Sequence, residues 1–62
     1  MTDKHVETLK AMAREDREES AAMMDEIAAR YAASGDARHA DEYRREAARI
    51  RAKRFAWESD AA

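Results

Sequence analysis

Apolar positions along the chain recur at intervals of three and four residues and nowhere alternate with period two. In the first half they run Val6, Leu9, Ala13, then, after the polar stretch Arg14 to Ser20, Met23 and Ile27, and in the second Tyr43, Ala47, Ile50 and Trp57. Intervals of three and four place side chains on one face of an α-helix, whereas a half-buried strand would alternate. Ala, Glu, Arg, Lys, Met and Leu dominate, Pro is absent, and the single Gly is Gly35. These are strong helix formers with almost nothing to interrupt them. The pattern predicts an all-α fold with one domain over 1–62: a helix over 3–33, a turn at 34–36, a helix over 37–58 and a frayed tail at 59–62. Gly35 suits the left-handed residue that ends a helix, and Asp36 suits the N-cap of the next.

A turn this short makes the two helices antiparallel neighbours. In one register Ile27 faces Tyr43, Met23 faces Ala47, Ser20 faces Ile50 and Ala13 faces Trp57. Those residues are the expected hairpin core: Ala13, Met23, Ile27, Tyr43, Ala47, Ile50 and Trp57. The same register sets Asp16 against Arg54, an expected ion pair at the two places where charge interrupts the stripes. Val6 and Leu9 then overhang the partner helix, and Phe55 shares a separate face with Ala48 and Ala52. Val6, Leu9, Ala48, Ala52 and Phe55 are therefore the expected interface to a second chain, and two hairpins would make a four-helix bundle.

Composition sharpens that expectation. Sixteen of the residues are Ala, and the large apolar side chains besides Met1 number eleven. That is a thin supply against the entropy of ordering 62 residues, and with no Cys there is no disulfide to compensate. A homodimer or a helical protein partner is expected on this ground. The same scarcity excludes a catalytic α/β domain, a sheet-based fold and a transmembrane span.

Charged residues make up 42% of the chain, yet the net charge is only −2. The near-balance argues against an acidic tail or a strongly basic nucleic-acid clamp. Met1–His5 has no apolar stretch after it, which with the lack of Cys reads as cytoplasmic. Base is concentrated in the second helix, where Arg38, Arg45, Arg49 and Lys53 fall on the outer face as candidate phosphate contacts. Local partners such as Asp41 with Arg45, Glu42 with Arg45 and Glu46 with Arg49 offer a plainer reading, a solvated face laced by ion pairs. No aromatic residue interleaves these arginines for base stacking.

Catalytic chemistry finds no support. His5 and His39 lie at opposite ends of the hairpin with no second ligand at metal spacing. Acid pairs such as Glu15 with Glu19 sit on convex helix surface, and no Ser/His/Asp or Gly-rich phosphate arrangement occurs. The reading is not an enzyme, with no cofactor, no metal and no small-molecule substrate. Membrane docking is not expected either, because an interfacial helix needs bulky apolar residues along one face.

The chain resembles the Rop family of plasmid RNA-binding modulators in its opening, Met1-Thr2 through Thr8-Leu9 to Met12-Ala13-Arg14. The run His39-Ala40-Asp41-Glu42-Tyr43-Arg44, followed by Ala48-Arg49, is similar to that family's second helix with a one-residue gap before Tyr43. The resemblance implies an antiparallel homodimer that binds paired RNA loops and regulates plasmid copy number. The family's RNA face, carried by helix-one Lys, Asn, Phe, Gln and Lys, corresponds here to Lys4, Ala11, Glu15, Glu19 and Glu26. Three of the five are acidic, where phosphate would be repelled. The segment Tyr31–Asp36 with Ala40, Tyr43 and Ala47 is also similar to the turn of a tetratricopeptide-type helix pair. The overall plan looks like the hairpin co-chaperones of type III secretion needles, which fold with a helical partner. The function expected first is a small regulator or adaptor acting through protein contacts. RNA binding through the second helix and a co-chaperone role are its alternatives.

Overall fold

The computed structural model describes residues 2–58, and the tail expected at 59–62 lies outside them. The described chain is all-helical: α1 spans Thr2–Ala33, α2 spans Ala37–Ala52, and a single 3₁₀ turn covers Ala56–Glu58. The turn between α1 and α2 is built as its residues predict. Gly35 takes a φ of 85°, its N–H donates to Ala32 at 3.1 Å, and the Asp36 N–H donates to Tyr31 at 2.9 Å. This is the paired closure that a left-handed glycine makes possible after the last helical turn. Asp36 then accepts from the His39 N–H and caps α2.

The core is made of alanine. Ala21, Ala28, Ala40 and Ala47 are 0–1% exposed, and no large side chain among the described residues is fully buried. Ala21 and Ala28 lie seven residues apart on α1, as Ala40 and Ala47 do on α2, so the two rows come into line in an antiparallel hairpin. The predicted seam rests on Met23 and Ile27, whereas the fully buried positions of α1 are these two alanines. Of the expected core, Ala47 is buried, while Ala13, Ile27, Tyr43 and Ile50 are half-buried. Met23 and Trp57 are exposed at 59% and 37%. Small side chains let two helices approach toward the lower end of the usual 8–10 Å separation, and the close approach turns the larger residues outward.

α2 ends six residues short of the predicted boundary. Lys53 leaves the helix with ψ 131°, and its N–H closes on Ile50 at 3.2 Å. The residues after it meet α1 at Arg17 and Lys10. With a rise of about 1.5 Å per residue, α1 is roughly twice the length of α2. The outcome is a slab measuring 52 × 23 × 9 Å, one helix thick. Its radius of gyration is 15.4 Å, against about 11 Å for a compact chain of this length.

Replacing Ala28 by Leu should therefore force the helices apart and cost about 1–3 kcal/mol in urea unfolding. Ala29→Leu, one position away on exposed surface, serves as the control and should be near neutral.

Candidate functional site

The two broad faces of the slab differ in chemistry. On one, Arg51 reaches from α2 to two carboxylates on α1. Its Nη2 lies 2.8 Å from Glu18 Oε2, and its Nη1 lies 2.8 Å from Asp25 Oδ2. Glu18 and Asp25 are seven residues apart and so share one face of α1. Hydrogen bonding to Arg51 holds the Glu18 carboxyl below its usual value, and the two acids push the Arg51 guanidinium above its own. Both ends are well exposed, so the link fixes alignment more than it adds stability.

On the opposite face α1 shows apolar side chains. Leu9, Met12 and Met23 are 51–59% exposed, and Val6 is 41% exposed. Leu9, Asp16, Ser20, Met23 and Ile27 fall within a narrow arc about 100° round α1 from the buried alanines. A groove of about 420 Å³ opens on this side between Asp16, Arg17 and Ser20 of α1 and Ile50, Lys53 and Phe55. A second groove of about 300 Å³ lies near the turn, lined by Ile27, Arg30, Tyr31 and Ser34.

Arg17 organises the segment after α2. Its Nη1 is 2.6 Å from Glu58 Oε1 and also donates to the Lys53 carbonyl at 2.8 Å. Its guanidinium carbon sits 5.0 Å from the Phe55 ring centre. The Phe55 N–H donates to Glu58 Oε1 at 3.1 Å, and the Glu58 N–H returns to the Phe55 carbonyl at 2.9 Å. Glu58 thus plays the acid of a capping box, three residues after the cap. The Arg17 bond and the Phe55 N–H together pull the Glu58 carboxyl down to about 2. Phe55 and Trp57 stack with ring centres 4.5 Å apart and planes 7° apart, and Lys10 Nζ lies 5.8 Å from the Trp57 ring.

This clasp revises three expectations. Phe55 and Trp57, placed on different faces by a continuous helix, lie side by side because the helix stops at Ala52. Ala48 and Ala52 remain exposed on α2. Asp16 and Arg54 form no ion pair among the described residues. Arg54 donates instead to the Arg51 carbonyl at 3.3 Å, and the ion pair that ties the segment after α2 to α1 is Arg17 with Glu58. The Glu58 half of this site was readable as an acid three places after Phe55. The Arg17 half was not, since it depends on where α2 ends.

The candidate phosphate strip is exposed, and its three arginines are locally paired. Arg38 lies 3.9 Å from Glu42, Arg45 lies 2.7 Å from Asp41, and Arg49 Nε lies 3.0 Å from Glu46. Glu42 thus serves Arg38, not Arg45. The Lys53 carbonyl accepts from Arg17. Near the turn, Tyr31 stacks on both His39 and Tyr43, at 5.0 and 5.5 Å. His39 is therefore less isolated than its sequence position implies, with its Nδ1 2.7 Å from Asp36 Oδ2. Among the described residues no group of three or more His, Cys, Asp or Glu is arranged to hold a metal ion, and no helix is long and apolar enough to cross a membrane. No family model, curated protein or solved structure matches the chain.

The Arg17 clasp has a pH signature. The Glu58 carboxyl titrates at about 2 when folded, against 4.5 in the open chain. A lowered value means the contribution is complete above pH 4.5 and fades as pH falls toward 2. The fluorescence of Trp57, the sole Trp, should change across that window as its stack on Phe55 loosens. Glu58→Gln should remove the transition, and its persistence there would assign it to another carboxylate.

Proposed function

We propose that this chain is a non-enzymatic regulator or adaptor that acts through protein contacts as a homodimer, two hairpins forming a four-helix bundle. The observation that carries the reading is the row Leu9, Met12 and Met23, large apolar side chains left about half exposed on a slab one helix thick. A single layer of helices has an unpartnered side, and water is a poor partner for it. The Rop-like dimer implied by the sequence resemblance has this same plan. Its RNA-binding role draws less support, because Arg38, Arg45 and Arg49 each have a carboxylate beside them. The co-chaperone alternative needs a chain that is mostly unfolded until its partner arrives.

Assembly-linked stability separates these readings. For a homodimer the thermal midpoint should rise with protein concentration, since association draws the folded state forward. A cooperative melt at one temperature across a hundredfold dilution would reject the homodimer. A chain without helicity at micromolar concentration would favour the co-chaperone.

RNA binding has its own signature. A dimer engaging four phosphates through its α2 strips would show a salt slope of roughly −3. The expected result is no binding to looped RNA above the weak non-specific level, even at low salt. Submicromolar binding abolished by the combined change Arg38→Gln, Arg45→Gln and Arg49→Gln, with helicity and mass intact, would overturn the adaptor reading.

A further inference from the structure

The apolar arc of α1 has an internal symmetry. Leu9, Ala13, Asp16, Ser20, Met23 and Ile27 are spaced by four, three, four, three and four residues, the same in both directions. The midpoint of that series is residue 18. We propose that a second copy of this chain covers the face with its α1 antiparallel to the first, in the register centred on residue 18. The inference rests on the homodimer reading and specifies the contact.

In that register Leu9 of one copy meets Ile27 of the other, and Ala13 meets Met23. Asp16 meets Ser20, so the carboxylate that interrupts the apolar stripe faces a hydroxyl donor. Other alignments treat Asp16 worse. A parallel pair sets the two Asp16 carboxylates against each other at one level. An antiparallel pair shifted by seven residues sets Asp16 against Ala13 or Ile27, where a desolvated charge has no donor. Asp16 makes no ion pair or hydrogen bond within its own chain among the described residues, leaving its carboxylate available to the second copy. One polar position inside an apolar seam is a known way of fixing alignment.

The fold supplies the rest of the geometry. The stripe lies about 100° round α1 from the buried alanines, close to the right angle that a helix in a square four-helix bundle needs between its two neighbours. Ile50 shares a groove with Asp16 and Ser20, which puts it level with the symmetry point, where the Ile50 side chains of the two copies converge. The overhanging end of α1, Val6 to Leu9, reaches past α2 in its own chain. In the proposed pair it lies over the other copy's turn-end groove at Ile27, Arg30 and Tyr31. A face of 52 × 23 Å can supply the roughly 800 Å² per partner that a stable interface requires.

The chain has no Cys, so introduced thiols report without background. Leu9→Cys chains mixed with Ile27→Cys chains should form a disulfide-linked heterodimer under mild oxidation. Neither variant alone should link, because identical residues sit about 27 Å apart along the antiparallel pair. Ala13→Cys mixed with Met23→Cys tests the same register at a second level, should either first variant fail to fold. Sedimentation of the unmodified chain accompanies both. A dimer in which Leu9→Cys links to itself, or in which neither mixture links, overturns this register and leaves the homodimer standing. A monomer at every concentration overturns both.

Discussion

Everything in this molecule follows from a seam built of alanine. Four methyl groups, from Ala21, Ala28, Ala40 and Ala47, fill the space between the helices, and no larger side chain among the described residues is fully buried. Alanine costs nothing in rotamer entropy and permits close approach, but it removes little apolar surface from water. Such a hairpin gains packing of backbone against backbone and forgoes most of the hydrophobic stabilisation that its Leu, Met and Ile residues could provide. Those residues are therefore left for some other surface.

A weak seam also explains the ionic links across it. Arg51 holds Glu18 and Asp25, and Arg17 holds Glu58 and the Lys53 carbonyl, so α1 is tied both to α2 and to the segment after it. The exposed Arg51 pairs contribute little energy each, whereas the Arg17–Glu58 pair is mostly shielded from water. Their geometry is directional in a way that methyl packing is not. Forked contacts from Arg51 and Arg17 define the alignment of two smooth helical surfaces that could otherwise slide.

Much of this is legible in the sequence. Helix content follows from residue type, and the turn follows from Gly35 and Asp36, because each needs only its immediate neighbours. The pairs Asp41 with Arg45 and Glu46 with Arg49 are local in the same sense. Register is not local. Two stripes compete on α1, a bulky one through Leu9, Met23 and Ile27 and a small one through Ala21 and Ala28. Choosing by hydrophobicity selects the bulky stripe for the hairpin, whereas closeness of approach selects the small one. The end of α2 was hidden for a related reason. Nothing from Lys53 to Glu58 is a helix breaker, and the chain departs there because Arg17 offers Lys53, Phe55 and Glu58 a common partner.

Under the proposed dimer the two stripes therefore divide the labour between folding and assembly. In an ordinary helical hairpin one bulky stripe serves both, and a second chain must compete with the first for it. Here the small stripe closes the hairpin and the bulky one stays free, at about a right angle to it on the same helix. Charge follows the division, since Arg51, Glu18 and Asp25 occupy the side that the bulky stripe does not. A partner approaching the charged side would have to strip water from an ion network already satisfied within the chain. On the bulky side it meets uncommitted methyl and thioether groups, with Asp16 the one ionic group in the stripe. The physics thus favours a helical partner of matching apolar pattern over a polyanion, and in the proposed dimer that partner is the stripe of a second α1, reversed.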